Sequence, residues 1–118
     1  LSSQQIQELF AAASAAGALP ALDQILQPVI HKPDADPRLA KFLAAGYLKT
    51  RQFDKAIQLA ERFKARYPED ADFPLMLGDI ESARGRLDEA IEHYRQHLRL
   101  RPDSPLREEL QRKTGGQL

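Results

Sequence analysis

Shifted by 34 positions, the chain overlays itself. Leu43 falls on Leu77, Ala44 on Gly78, Phe53 on Leu87 and Asp54 on Asp88. Ala56 then falls on Ala90, Ile57 on Ile91 and Pro68 on Pro102. One supersecondary unit has been repeated, and a unit of that size cannot bury its apolar side alone. Each copy must stack on its neighbour, so the architecture is a helical or mixed array rather than a closed globule. Arrays of this kind display a surface. They rarely perform chemistry.

The apolar spacing within the unit is helical and occurs twice per copy. Leu39, Phe42, Leu43, Gly46, Tyr47 and Thr50 recur at three and four, as do Phe53, Ala56, Ile57, Ala60 and Phe63. The pattern returns as Phe73, Met76, Leu77 and Ile80, then Leu87, Ala90, Ile91, Tyr94 and Leu98. A turn is expected near Thr50-Arg51-Gln52, and Gly85 supplies a left-handed residue at the matching place. Asp54, Asp88 and Glu89 stand in first turns and Lys64, Arg66, Arg99 and Arg101 in last turns, as the helix dipole favours. Pro68 and Pro102 stop their helices.

These positions resemble the tetratricopeptide repeat, whose consensus is W-x2-L-G-x2-Y…A-x3-F…P. Ala40, Leu43, Ala44, Tyr47, Ala56, Ala60 and Pro68 fill it in one copy. Pro74, Leu77, Gly78, Glu81, Ala90, Tyr94 and Pro102 fill it in the next. Neither copy keeps the tryptophan, and Glu81 replaces the tyrosine. The resemblance covers residues 37–104 well and rests on the sum of positions.

The first 36 residues read as a degenerate third copy. Leu9, Ala13, Gly17 and Leu19 fit at a shift of 34, whereas Ala21, Leu22 and Pro33 fit at 35. Ser2 with Gln5 resembles a capping box for its first helix. Pro20 suits the first turn of its second helix. Pro28 removes a hydrogen bond inside that helix, so a short or kinked helix is expected there. Leu106–Lys113 is amphipathic, with Leu106 and Leu110 inward, and resembles the capping helix of such arrays. The expected fold is all-α: an α-solenoid of about three helix-turn-helix repeats plus a C-terminal capping helix. The resemblance implies a right-handed superhelix. The expected divisions are 3–36, 37–70, 71–104, a capping helix over 105–114 and a tail over 115–118.

Composition narrows the function. The chain has 118 residues, enough for one domain with a core. Acidic and basic residues balance at 17 each, so no global field draws it to nucleic acid or anionic lipid. No apolar run approaches a membrane span. Ala12–Leu19 is apolar but short, and without a basic segment before it does not read as a signal peptide. There are no cysteines, which excludes disulfides, thiolate zinc sites and cysteine nucleophiles and leaves the compartment open. Leu1 at the start and the loose-looking Thr114-Gly115-Gly116-Gln117-Leu118 suggest a piece of a longer protein. The wealth of Ala, Gln, Leu and Arg gives it a bacterial look, in cytoplasm or periplasm.

Nothing in the pattern reads as an enzyme or calls for a cofactor. His93 and His97 lie four apart on one helix, but the intervening glutamate of the zinc-protease motif is missing, and two ligands close no zinc site. His97 is expected at an inter-helix packing position and His93 on the surface. Ser14, Ser82 and Ser104 have no predictable histidine–acid partners. Gly115-Gly116 has no following helix with which to cradle a phosphate.

The charge distribution is more informative. Between Asp36 and Asp54 lie Arg38, Lys41, Lys49 and Arg51 with no acid; Glu69, Asp70, Asp72, Asp79 and Glu81 then follow with no base. The resemblance implies that the first helices of successive repeats line a concave groove. That puts Arg38, Lys41, Ala45, Leu48 and Lys49 beside Asp72, Leu75, Asp79, Ser82 and Ala83. The two stripes either pair with each other, each exposed pair contributing about 0–1 kcal/mol, or form a dipolar groove for a peptide. Some members of the family clamp an acidic chaperone tail with lysines, arginines and asparagines. This chain has no asparagine, and Asp72 and Asp79 carry the wrong sign beside Lys41, so that role is not expected. The expected function is protein–protein interaction, with a peptide or partner helix in the groove. Two alternatives are a spacer or self-associating module, and an appendage that positions a partner for an enzyme or secretion complex.

Overall fold

The computed structural model describes residues 19–118, together with Gln4 and Glu8. The described residues form six helices and no strand: α1 (Leu19–Ile30), α2 (Pro37–Lys49), α3 (Phe53–Arg66), α4 (Asp72–Ala83), α5 (Leu87–Leu100) and α6 (Arg107–Lys113). α3 and α5 begin and end 34 residues apart, so the sequence shift is a shift of whole elements. The expected first helix, its Ser2–Gln5 capping box and the matches at Leu9, Ala13 and Gly17 lie outside the described residues.

The helix ends follow local chemistry. Asp36 caps α2 by accepting the Arg38 N–H at 2.9 Å, and Pro37 occupies the first helical position, where its missing N–H costs nothing. α2 ends in a Schellman turn: Gln52 N–H donates to the Tyr47 carbonyl at 2.7 Å and Arg51 N–H to Leu48 at 3.0 Å. One repeat later Arg86 N–H reaches Glu81 at 2.8 Å and Gly85 N–H reaches Ser82 at 3.1 Å. The left-handed residue is Gly85 (φ 79°) in the second turn and Arg51 (φ 60°) in the first. Arg51 therefore adopts a conformation that disfavours side chains. Its guanidinium rests 5.0 Å from the Phe53 ring centre, a contact glycine could not make.

α1 has Pro20 in its first turn, as expected, but continues through Pro28 to Ile30. Pro28 and Gln24, whose carbonyl lacks its N–H partner, are both exposed, so water can satisfy that carbonyl. Proline here sits two residues before the helix end, where little of the ladder remains to be lost.

The helices join a core in two parts. Leu26 and Ile30 from α1 meet Leu39, Leu43 and Tyr47 from α2, Leu59 and Phe63 from α3, and Phe73 and Ile80 from α4. Ala90, Tyr94 and Leu98 of α5 meet Leu110 of α6, with Leu75 and Leu106 packed alongside. Leu106 and Leu110 are inward, as their spacing predicts. The terminal segment is not loose. Gly115 and Gly116 have φ of 64° and 80° and turn the chain back, so that Leu118 joins this second cluster. Arg95 donates to the Gln117 carbonyl at 2.8 Å and Gln111 to that of Leu118 at 3.2 Å. A tail of glycine and polar residues reads as loose only while the donors Arg95 and Gln111 are out of sight.

Candidate functional site

The first helices of the hairpins, α2 and α4, with α6 after them, present the residues that the charge pattern singles out. Arg38, Lys41, Ala45, Leu48 and Lys49 recur at helical spacing along α2, and Asp72, Leu75, Asp79 and Ser82 do so along α4. None of the nine is buried. Leu39, Leu43 and Tyr47, on the other side of α2, face the core.

Lys41 is the tie between the two helices. Its ammonium lies 2.8 Å from Asp70 and 2.9 Å from Asp72, and 5.4 Å from the Phe73 ring centre. Burial alone would lower its pKa; the bonds to Asp70 and Asp72 outweigh that and raise it. Asp70 also accepts the Asp72 N–H at 3.0 Å, so the loop before α4 is shaped by the same carboxylate.

Arg38 does not reach α4. Its guanidinium closes on Asp36, with Nε at 3.0 Å from both carboxylate oxygens. The bond from Arg38 lowers the Asp36 pKa, against a smaller opposing effect of burial. At the other end of α2, Lys49 is exposed and has no salt-bridge partner among the described residues. Ala45 is exposed, whereas Leu48 and Leu75 are half-buried and pack on the first and second core clusters respectively.

Asp79 is held from two sides. The Tyr94 hydroxyl donates to it at 2.7 Å and the Lys113 ammonium lies 3.2 Å away. Burial, then the bond to Asp79, pushes the Tyr94 hydroxyl well above the ordinary phenol value. Lys113 stands 34 residues after Asp79, and Asp79 stands 34 after Ala45. Ala45, Asp79 and Lys113 thus share one register on α2, α4 and α6. Ser82 is half-buried beside Tyr94, and Ala83 is exposed.

Sequence reasoning named Asp70 in the acidic stripe without assigning it to the face, and missed Lys113. The 34-residue shift was enough to find Lys113. Nothing in a periodic pattern assigns Asp70 to the face, because it lies in a loop.

The two histidines separate. His93 is half-buried, while His97 is 1% exposed and tied at both nitrogens. A carbonyl can only accept, so Nδ1 carries a proton and donates it to Ala71 at 2.8 Å; Nε2 lies 2.8 Å from the Ser104 hydroxyl. Ser104 therefore does have a histidine beside it, contrary to expectation, with a backbone carbonyl where a triad has its acid. Both side chains are buried, out of reach of any substrate, and the arrangement ties α5 to the starts of α4 and α6. Ser14 lies outside the described residues. Among the described residues no three His, Cys, Asp or Glu side chains cluster to hold a metal. No helix among them is long and apolar enough to cross a membrane.

Compared with known families, the chain matches a family model described as Tetratricopeptide repeat over residues 43–105, just over half its length. Comparison with curated proteins and with solved structures finds no significant match. Repeats of this family are non-catalytic and mediate protein–protein interaction or scaffolding, typically by binding proteins or peptides. The matched span runs from the middle of α2 through α5 and holds their 34-residue register; the chain belongs to the tetratricopeptide repeat family.

Proposed function

We propose that this domain binds a peptide or partner helix on the face formed by α2, α4 and α6. The observation that carries this reading is that nine residues at helical spacing on two neighbouring helices stay outside the core. Lys41 and Asp72 hold the two helices together at one end of the face. Ala45, Leu48 and Leu75 leave an apolar strip along it, and Lys49 offers a cation with no salt-bridge partner among the described residues. Apolar contact would then supply affinity, and the flanking charges orientation and choice of partner.

The reading is tested with peptides selected on the intact domain from a random display library. Ala45→Trp fills the strip and should weaken the selected peptides by about tenfold or more, as a steric block at the centre of an interface does. Ala65→Trp, on the exposed side of α3, should leave them unchanged. Equal effects at the two sites, or none at Ala45, would overturn the assignment of the face.

A further inference from the structure

Between α1 and α3 lies a cleft of about 380 Å³ that shares no residue with the face just described. Its floor is apolar and fixed: Ile30, Tyr47 and Leu59 are 0%, 3% and 2% exposed. Its α3 wall carries Lys55 and Arg62, seven residues apart and therefore on one side of the helix. The opposite wall carries Asp23 and Gln27.

Among the described residues neither cation has a carboxylate partner, as is also true of Lys49; Arg38, Lys41, Arg84, Arg95 and Lys113 each have one within 3.2 Å. Arg62 instead donates to Nδ1 of His31 at 2.6 Å, and Lys55 rests 5.8 Å from the Tyr47 ring centre. Neither partner carries negative charge. Asp23, the only acid among the described residues lining the cleft, is occupied by the Tyr47 hydroxyl and by Gln27 Nε2, the latter at 2.6 Å. Glu8 is the only acid among residues 1–18, and it is exposed and bound by Gln4.

We infer that this cleft is a second docking site, for an acidic segment of a partner protein, with a carboxylate seated between Lys55 and Arg62. A guanidinium fork matches a carboxylate in two parallel bonds and exceeds a neutral imidazole as a partnership. Ile30 and Leu59 provide apolar ground for the residue beside that carboxylate. Gln58 supplies an amide to an extended backbone, whereas Gln27, whose Nε2 already donates to Asp23 and to the Tyr47 hydroxyl, offers its carbonyl oxygen alone. Asp23, on the facing wall, opposes the second charge of a phosphate, which favours a carboxylate over a phosphoryl group.

The test is a titration of the whole isotope-labelled chain, followed by amide resonances. The probe is acetyl-Glu-Leu-Glu-Leu-Glu-amide, set against acetyl-Lys-Leu-Lys-Leu-Lys-amide and inorganic phosphate. Saturable shifts confined to residues 27–31 and 55–62 with the first peptide alone are expected. The double variant Lys55→Gln/Arg62→Gln should weaken it by about tenfold or more, and added salt should weaken it in the wild type. Among the described residues neither side chain is in a salt bridge, and the Arg62–His31 bond is exposed, so the double variant should melt close to the wild type. The inference is overturned if those resonances do not move, or if the double variant binds unchanged. Salt-independent binding also overturns it, as does phosphate moving the same resonances at equal or lower concentration.

Discussion

The ring of Tyr94 lies directly against the backbone of Gly78: a Cβ built on that glycine would stand 2.4 Å from Tyr94 Cε1 and 2.5 Å from Cδ1. One repeat earlier the same two positions hold Ala44 and Ala60, 1% and 0% exposed. The two hairpins thus cross on the same seam with opposite solutions, two small residues in one and none-plus-large in the other. The larger ring also lets the Tyr94 hydroxyl reach Asp79. Gly78→Ala should therefore cost about 1–3 kcal/mol by overpacking, although alanine in a helix interior ordinarily gains about 0.5–1 kcal/mol over glycine. In a Tyr94→Ala background the sign should reverse, since that pair restores Ala44 and Ala60. Urea unfolding of the four chains checks this. A Gly78→Ala effect that is the same in both backgrounds would refute the coupling.

A second seam lies where Ala56 and Ala90 meet their neighbours, each 0% exposed, as the repeat spacing requires. Ala90→Leu should lower the melting temperature clearly, with a loss of about 1–3 kcal/mol. Glu92→Leu, on the exposed side of α5, should change stability by less than about 0.5 kcal/mol. Thermal melts of the two variants distinguish them, and equal losses would contradict the burial of Ala90.

What was legible in the sequence was what repeats. α3 and α5, the left-handed Gly85 and the inward Leu106 and Leu110 all follow from periodicity and turn chemistry. What was not legible depends on backbone acceptors and on pairs remote in sequence. His97 stands 34 residues after the core residue Phe63, so the pattern gave its burial, but not that its partners are the Ala71 carbonyl and Ser104. Arg51 in a glycine position was hidden because only the second copy shows the glycine. The charge stripes marked the α2–α4 face and included Asp70 without showing that this loop residue binds Lys41, while the α6 residue Lys113, which binds Asp79, lay outside them.

His97 makes the sharpest case for buried polarity. His97→Phe copies the Phe63 of the preceding hairpin and keeps volume, yet it leaves the Ala71 carbonyl and the Ser104 hydroxyl without that partner. The expected loss is about 1–3 kcal/mol. Ser104→Ala added to His97→Phe should recover little of it, because Ser104 Oγ also accepts the Leu106 N–H at 3.3 Å and its removal leaves that donor unpaired. Chemical denaturation of the single and double variants measures both. A fully neutral His97→Phe would show that the hydrogen bonds contribute little beyond packing.

His93 gives a pH dependence with a definite sign. Burial first, and then the nearby Lys64, lower its pKa from the ordinary 6.5, against the opposing pull of Glu61, Glu81 and Glu92. Between the lowered folded value and 6.5 the unfolded chain binds the proton more readily. Stability from this site is therefore full above 6.5 and falls as the pH drops through the folded value. His93→Gln should flatten that decline, seen by comparing unfolding at about pH 7.5 and about pH 5.5, on either side of the ordinary histidine value. A variant with the wild-type slope would remove His93 as its source.

Charge reversal on the α2–α4 face separates binding from cohesion, because its cations are differently engaged. Lys41 is held by Asp70 and Asp72, so Lys41→Glu places three acids together and should lower the melting temperature whether or not a partner binds. Lys49 is exposed with no salt-bridge partner among the described residues, so Lys49→Glu should cost no more than the helix-dipole term of about 0.3–1 kcal/mol, well below Lys41→Glu. If the face receives a partner, Lys49→Glu should change the association rate of an acidic selected peptide. The effect should be largest at low salt and fade as the Debye length shrinks from about 10 Å at 0.1 M to about 3 Å at 1 M. Lys64→Glu, on α3, serves as the control for total charge. Melting and association must be measured on the same variants. A Lys49→Glu chain that associates no differently from Lys64→Glu would leave Lys41 and Asp72 with a cohesive role alone, and the partner would have to dock elsewhere.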